Sequence, residues 1–205
     1  MSVSVGDGDP APVDHRKGPR RRGEALFQAI FEATLAELAE VGYARFTMEK
    51  VAAQARTSKA SLYRRWPNRA ALVVDAVAGV RPTIREPPDS GDVRADLIAF
   101  FTGAVALFDG PYGEAVRGLI CESLEDPGRT ELVRSRMFEF RSRMVLDILR
   151  RGAERGQVRP GALTTRIADV GPQLIAQHFL VHGAPVPDEV VTEIVDEVVI
   201  PLISP

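Results

Sequence analysis

Three observations predict an all-α fold for this chain. Apolar residues recur at i, i+3, i+4 and i+7 along most of its 205 residues, the spacing of helices with one buried face. Strand alternation and hairpin dipeptides are missing throughout. The breaks between periodic stretches hold Gly, Pro, Asn, Ser and Thr where one helix must end and the next be capped. About nine helices result, with no internal repeat.

Composition sets the limits. The apolar share of 45% and the charged share of 26% are ordinary for a globular protein. A single cysteine, Cys121, excludes an intramolecular disulfide and cannot build a metal site alone, so a reducing cytoplasm is expected. No apolar run approaches the roughly 20 residues of a membrane span, so no membrane partner is expected. The start of the chain lacks the apolar segment of a secretory signal. The net charge of −2 hides an asymmetry, because Arg16 to Arg69 holds 12 Lys/Arg against 5 Asp/Glu. A basic segment on an acidic body points to a polyanionic partner for that segment only.

In chain order, residues 1–22 are Gly-, Asp-, Pro- and Ser-rich and are expected to be a disordered arm ending in Arg20, Arg21 and Arg22. That arm suits a solvated tail, or phosphates and a minor groove. A first helix from about Gly23 to Val41 follows, with Phe27, Ile30, Phe31, Thr34 and Leu38 on one face and Gly42 placed to end it. Thr47 is the N-cap expected for a second short helix carrying Met48, Val51, Ala52 and Ala55. After Arg56-Thr57-Ser58, a third short helix (about 58–66) keeps Leu62 and Trp66 for the core. It leaves Lys59, Ala60, Tyr63 and Arg64 on its other side. Two short helices across a tight turn, the second basic and aromatic outside, describe a helix-turn-helix entering a major groove.

Asn68 caps a fourth helix, Arg69 to about Val80, whose Leu72, Val73, Ala76 and Val77 are expected to bridge two bodies. Residues 81–91 are dense in helix breakers and read as a linker between a reading domain, 23–80, and a larger body, 92–205. The body continues with helices at Asp92–Asp109, Tyr112–Glu125, Thr130–Arg155, Leu163–His182 (kinked at Gly171-Pro172) and Asp188–Ile203.

Residues from about Arg22 to Ala76 resemble the DNA-binding domain of the TetR family of bacterial transcriptional regulators. The resemblance is carried by Gly42-Tyr43, Thr47, Val51-Ala52, Ala55, Ser58-Lys59, Leu62-Tyr63, Trp66 and Leu72. It implies a regulator, usually a repressor, that reads a palindromic double-stranded operator as a homodimer and answers to a small-molecule effector. Carried over by position, Lys59 and Ala60 would approach base edges within the surface Thr57 to Arg64. Ser58, Ser61 and Tyr63 would meet phosphates or neighbouring bases. Thr47 and Arg69 would meet the backbone. Arg56 departs from the pattern, which favours glycine in that turn. A left-handed arginine there costs about 1 kcal/mol unless a phosphate contact recovers it.

In the body, Phe100, Phe101, Phe108, Met137, Phe138, Phe140, Met144 and Phe179 suit an apolar effector pocket, and equally an ordinary core. Leu174, Ile175, His178, Val191, Ile194, Val195 and Val198 on the last two helices offer more apolar surface than one layer buries, which suits a two-fold four-helix interface. His178 and His182 share one helix face, with no third ligand nearby. Arg141, Arg143, Arg150, Arg151 and Arg155 alternate with acids as a solvated, salt-bridged face. No phosphate-binding glycine loop, nucleophile elbow or metal triad supports an enzyme, and no cofactor is implied. A DNA-coating protein of low sequence preference is the milder alternative.

Overall fold

The computed structural model describes residues 23–79, 86–123 and 139–205, and every regular element among them is helical. The first four helices, the smaller body, are α1 (Glu24–Arg45), α2 (Met48–Gln54), α3 (Lys59–Arg65) and α4 (Arg69–Gly79). The larger body holds α5 (Val93–Val105, extended by a 3-10 turn at Ala106–Phe108), α6 (Pro111–Ser123), α7 (Glu139–Glu154) and α8 (Thr165–His182). The last rod, α9, joins Asp188–Glu193, a π-helical stretch Ile194–Val199 and Ile200–Ile203. The arm 1–22, residues 81–85 of the 81–91 linker and the 130–138 part of the seventh helix lie outside the described residues.

Caps fall where the side chains dictate. The Lys50 N–H donates to Thr47 Oγ1, Ser61 N–H to Ser58 Oγ, and Ala71 N–H to Asn68 Oδ1, each satisfying a helix-start amide that has no partner in its own helix. Asp92 and Thr164 do the same for α5 and α8. At Gly42, φ +71 and ψ 168 step the chain out of the helix, so the first regular run ends where glycine predicts, and residues 43–45 form one more turn.

α4 is buried over most of its circumference: Leu72, Val73, Val74, Ala76 and Val77 have no exposed surface, and only the side of Ala71, Asp75 and Ala78 is half-open. So broad an apolar surface needs cover from more than one neighbour, and α1 and α6 both pack against it. α6 in turn packs on α1, closing the junction between the two bodies. In the larger body α5 meets α7 and α9, while α8 packs on α7 and α9.

Several sequence expectations change here. Pro172 sits inside an unbroken α8. The π stretch was not foreseen, although its cause is local. Pro201 has no N–H for the Glu197 carbonyl and its ring would press on that oxygen, so a wider turn ahead of it relieves the clash. In that stretch the Ile200 N–H reaches back to Val195 O, five residues away. Arg151 and Arg155 do not stay on their own helix face. They pair with Asp89, and Arg151 also donates to the Pro87 and Pro88 carbonyls, pinning the end of the linker to α7. Arg150 does keep a local partner in Asp147.

Arg56 takes φ 53, a left-handed conformation. Its N–H donates to Ala53 O at 3.1 Å, and the Thr57 N–H donates to Ala52 O at 2.9 Å. That pair of bonds is a Schellman closure with arginine in the glycine position. Arg56→Gly is therefore expected to stabilise the isolated protein by about 1 kcal/mol, read as a higher urea midpoint at unchanged slope.

Candidate nucleic-acid interface

The candidate surface stands on α3, whose inner side holds Leu62 at 1% exposure and is closed by Trp66 at 3%. Trp66 meets the rings of Phe27 and Phe31 edge-on at 5.9 and 6.0 Å, and its indole N–H donates to Asp75 Oδ2 on α4 at 2.9 Å. The Arg65 guanidinium lies 3.6 Å from the Phe27 ring centre, a cation–π contact. α2 contributes Met48, Val51 and Ala52 to the same core, with Ala55 at its cap.

With that side fixed, Ser58, Lys59, Ala60, Tyr63 and Arg64 are exposed, and Ser61 is half-buried. Thr47 and Arg56 are exposed beside them, and Thr57 is partly covered. Every expected residue from Thr47 to Arg64 is thus at least partly open to solvent. Arg20, Arg21 and Arg22 lie outside the described residues. Arg69 is placed differently: its Nε–H donates to Glu122 Oε2 on α6 at 3.1 Å, with its side chain 37% exposed.

Sequence reasoning missed two acids. Glu49 on α2 pairs with Lys59 Nζ at 3.5 Å and accepts from the Tyr63 hydroxyl at 3.4 Å. Its own backbone N–H, then Lys59 and Tyr63, hold its carboxyl below the usual range. Glu37 is fully buried on α1, 3.2 Å from Lys50 Nζ. The α2–α3 crossing angle decides the first contact and α1–α2 packing the second, and neither is readable from spacing.

In the larger body, Phe100, Phe101, Phe108, Met144 and Phe179 are all buried. Phe108 stacks on Phe179 at 4.4 Å, and a Cβ at Gly171 would come within 2.7 Å of Phe101, so these rings close on each other. Phe140 is half-buried, and Met137 and Phe138 lie outside the described residues. An open cleft of about 320 Å³ lies beside Phe108, bordered by Ala39, Asp109, Glu114, Arg117 and Ala184.

Of the residues expected at an interface, Leu174 is exposed while His178, Ile194 and Val198 are half-covered. Ile175, Val191 and Val195 face inward at 3%, 0% and 0% exposure. They serve the packing of α8 and α9 within one chain, because each helix must bury its own stripe first. Leu180, Val181 and Leu202 are exposed apolar residues instead. The His178 and His182 rings lie 4.5 Å apart, and no group of three metal-ligating side chains occurs among the described residues. Nor is any described helix long and apolar enough to cross a membrane.

Residues 30–76 match the family model of bacterial regulatory proteins, tetR family, and residues 87–198 match the tetracyclin repressor-like C-terminal domain. The chain belongs to the TetR family. It is 32% identical over 190 residues to a DNA-binding transcriptional repressor, TetR, of Mycobacteroides abscessus, covering 90% of this chain and 97% of that one. An uncharacterised HTH-type transcriptional regulator of Mycobacterium tuberculosis is 29% identical over 85% of this chain and 86% of its own. A crystal structure of a TetR-family transcription regulator superposes with TM-score 0.74 at 28% identity, over 89% of this chain and all of the other. A putative TetR-family regulator from Mesorhizobium loti, at 14% identity and TM-score 0.66 over 90% of this chain and all of that one, shares the fold. The protein is a TetR-family helix-turn-helix transcriptional regulator with an all-α fold, and its family is one of DNA-binding regulators.

Because the Ser58 hydroxyl oxygen takes the Ser61 N–H at 3.1 Å, its removal strips the cap from a helix of two turns. Ser58→Ala is expected to lower stability by about 1 kcal/mol, measured by denaturant unfolding.

Proposed function

We propose that this regulator is a repressor that binds a palindromic operator as a homodimer and leaves it when a small molecule occupies the larger body. One observation carries the reading: Lys59, Ala60, Tyr63 and Arg64 stand exposed on a capped helix whose other side is locked by Leu62 and Trp66. Lys59 and Ala60 then reach base edges, while Thr47, Arg56, Thr57, Ser58, Ser61, Tyr63 and Arg64 meet phosphates or neighbouring bases. Arg20, Arg21 and Arg22 add backbone affinity from the arm, and Arg69 from the start of α4. Domain limits of 23–80 and 92–205, joined by 81–91, go with this division of labour.

The repressor sign is supported by the name of the Mycobacteroides abscessus relative. Pairing through α8 and α9 is supported by Leu174, Leu180, Val181 and Leu202, which are large apolar side chains left at the surface. Two recognition helices spaced by one DNA turn, about 34–36 Å, read a palindrome. The effector, binding among the aromatic residues of the larger body, must favour the arrangement that cannot grip DNA. A cytoplasmic location goes with that role.

Selection of bound duplexes from random DNA by the full-length protein is expected to return a two-fold symmetric consensus with half-sites one turn apart. Enrichment of nothing, with a steep salt dependence alone, would instead mean DNA coating. Elution of the free protein at twice its chain mass is expected at micromolar concentration; a monomer overturns the dimer.

A further inference from the structure

Glu122, on the last described turn of α6, collects two donors from the smaller body. The Tyr43 hydroxyl donates to its Oε2, and Arg69 Nε–H donates to the same oxygen at 3.1 Å. The Arg69 guanidinium also lies 4.8 Å from the centre of the Tyr43 ring. The three groups make one cluster across the junction, with the acid sheltered at 11% exposure and the guanidinium at 37%. The Tyr43 ring rests on bare α6 backbone, since a Cβ at Gly118 would fall inside it. Burial first, then Glu122, pushes the Tyr43 phenol up, so it stays a donor at neutral pH.

Arg69 opens α4 three residues after Trp66, which closes the recognition helix. On the proposed DNA-binding reading, a phosphate would approach this guanidinium from its open side. Carboxylate and phosphate oxygens are rival acceptors for one guanidinium edge. We infer that Glu122 is a positioning residue for DNA binding: it competes with a backbone phosphate for Arg69, so that α6 tunes DNA affinity by holding or yielding that cation. The inference rests on the DNA-binding reading above. α6 is suited to the task because it packs on α1 and α4 while Val116 and Leu119 are buried in the core. A shift of α6 therefore moves the acid relative to the arginine.

The test is titration of the full-length protein with the selected operator duplex at several salt concentrations. Glu122→Gln keeps an oxygen for Tyr43 but removes the charge, and is expected to tighten binding about tenfold. It should also steepen the slope of log K against log salt by about 0.9 for each Arg69 that reaches phosphate. In an Arg69→Ala background the same change should do nothing to either quantity. Equal tightening with and without Arg69 would reduce Glu122 to a general negative charge, and weaker binding would make the pair a support for DNA binding; both overturn the inference. Glu122→Asp, with a shorter reach and the charge kept, should act in the same direction and serves if the glutamine variant is unstable. Failure of the wild type to bind any duplex sinks the DNA-binding reading itself. The free protein gives a separate readout, because the Arg69 Nε–H should exchange slowly in the wild type and fast in Glu122→Gln. Fast exchange in both overturns the contact.

Discussion

A helix of seven residues has almost no stability of its own in water, and both α2 and α3 are that short. Their place in the molecule depends on Trp66. The indole is gripped by Phe27 and Phe31 of α1 and hydrogen-bonded to Asp75 of α4, so the end of α3 is referenced to two longer helices at once. Removing so large a buried ring would cost about 3–5 kcal/mol, comparable with much of the stability of a small domain. The outward face of α3 is thus only as well oriented as α1 and α4 are.

Those two helices are also the ones the larger body touches. α6 lies against both, and its contact with α1 is made tight by a glycine: Tyr43 occupies space that any side chain at position 118 would fill. Close packing of this kind does not deform smoothly, so a displaced α6 must carry Tyr43 along or break away from it. α4 is held by a broad buried surface, Leu72, Val73, Val74, Ala76 and Val77, so it cannot slide without disturbing that packing. Contacts thus run from α6 through α1 and α4 to Trp66 at the end of α3. The residues of that chain of contacts are spread from position 27 to position 118.

Much of the fold was legible because capping and periodicity are local. Thr47, Ser58 and Asn68 cap the helices they were expected to cap, since each needs only an amide three residues on. The candidate reading face was legible for the same reason: once Leu62 and Trp66 turn inward, α-helical geometry sends Lys59, Ala60, Tyr63 and Arg64 outward. What failed to show in the sequence depends on which neighbour arrives. Ile175, Val191 and Val195 sit on apolar stripes, and a stripe does not say whether its partner is the same chain or another. Arg69, Arg151 and Arg155 have long side chains whose partners, Glu122 and Asp89, lie more than 50 residues away.

Arg56 illustrates how a broken local rule can carry information. The turn between α2 and α3 demands a left-handed residue, and glycine would meet that demand without a steric penalty. Arginine is held there by a fully formed hydrogen-bonded closure on either side of it, so the backbone geometry is imposed by the turn and not chosen by the side chain. Strain of about 1 kcal/mol persists only where the surroundings over-determine the conformation. The guanidinium is exposed, and on the proposed DNA-binding reading a phosphate contact is where its charge has a use. The same logic applies to Lys59, whose partner Glu49 is exposed and surrendered at little cost. Other cations of these helices are held differently, Lys50 by the buried Glu37 and Arg69 by the sheltered Glu122, so on the proposed reading Lys59 is the one that passes most cheaply from its carboxylate to a phosphate.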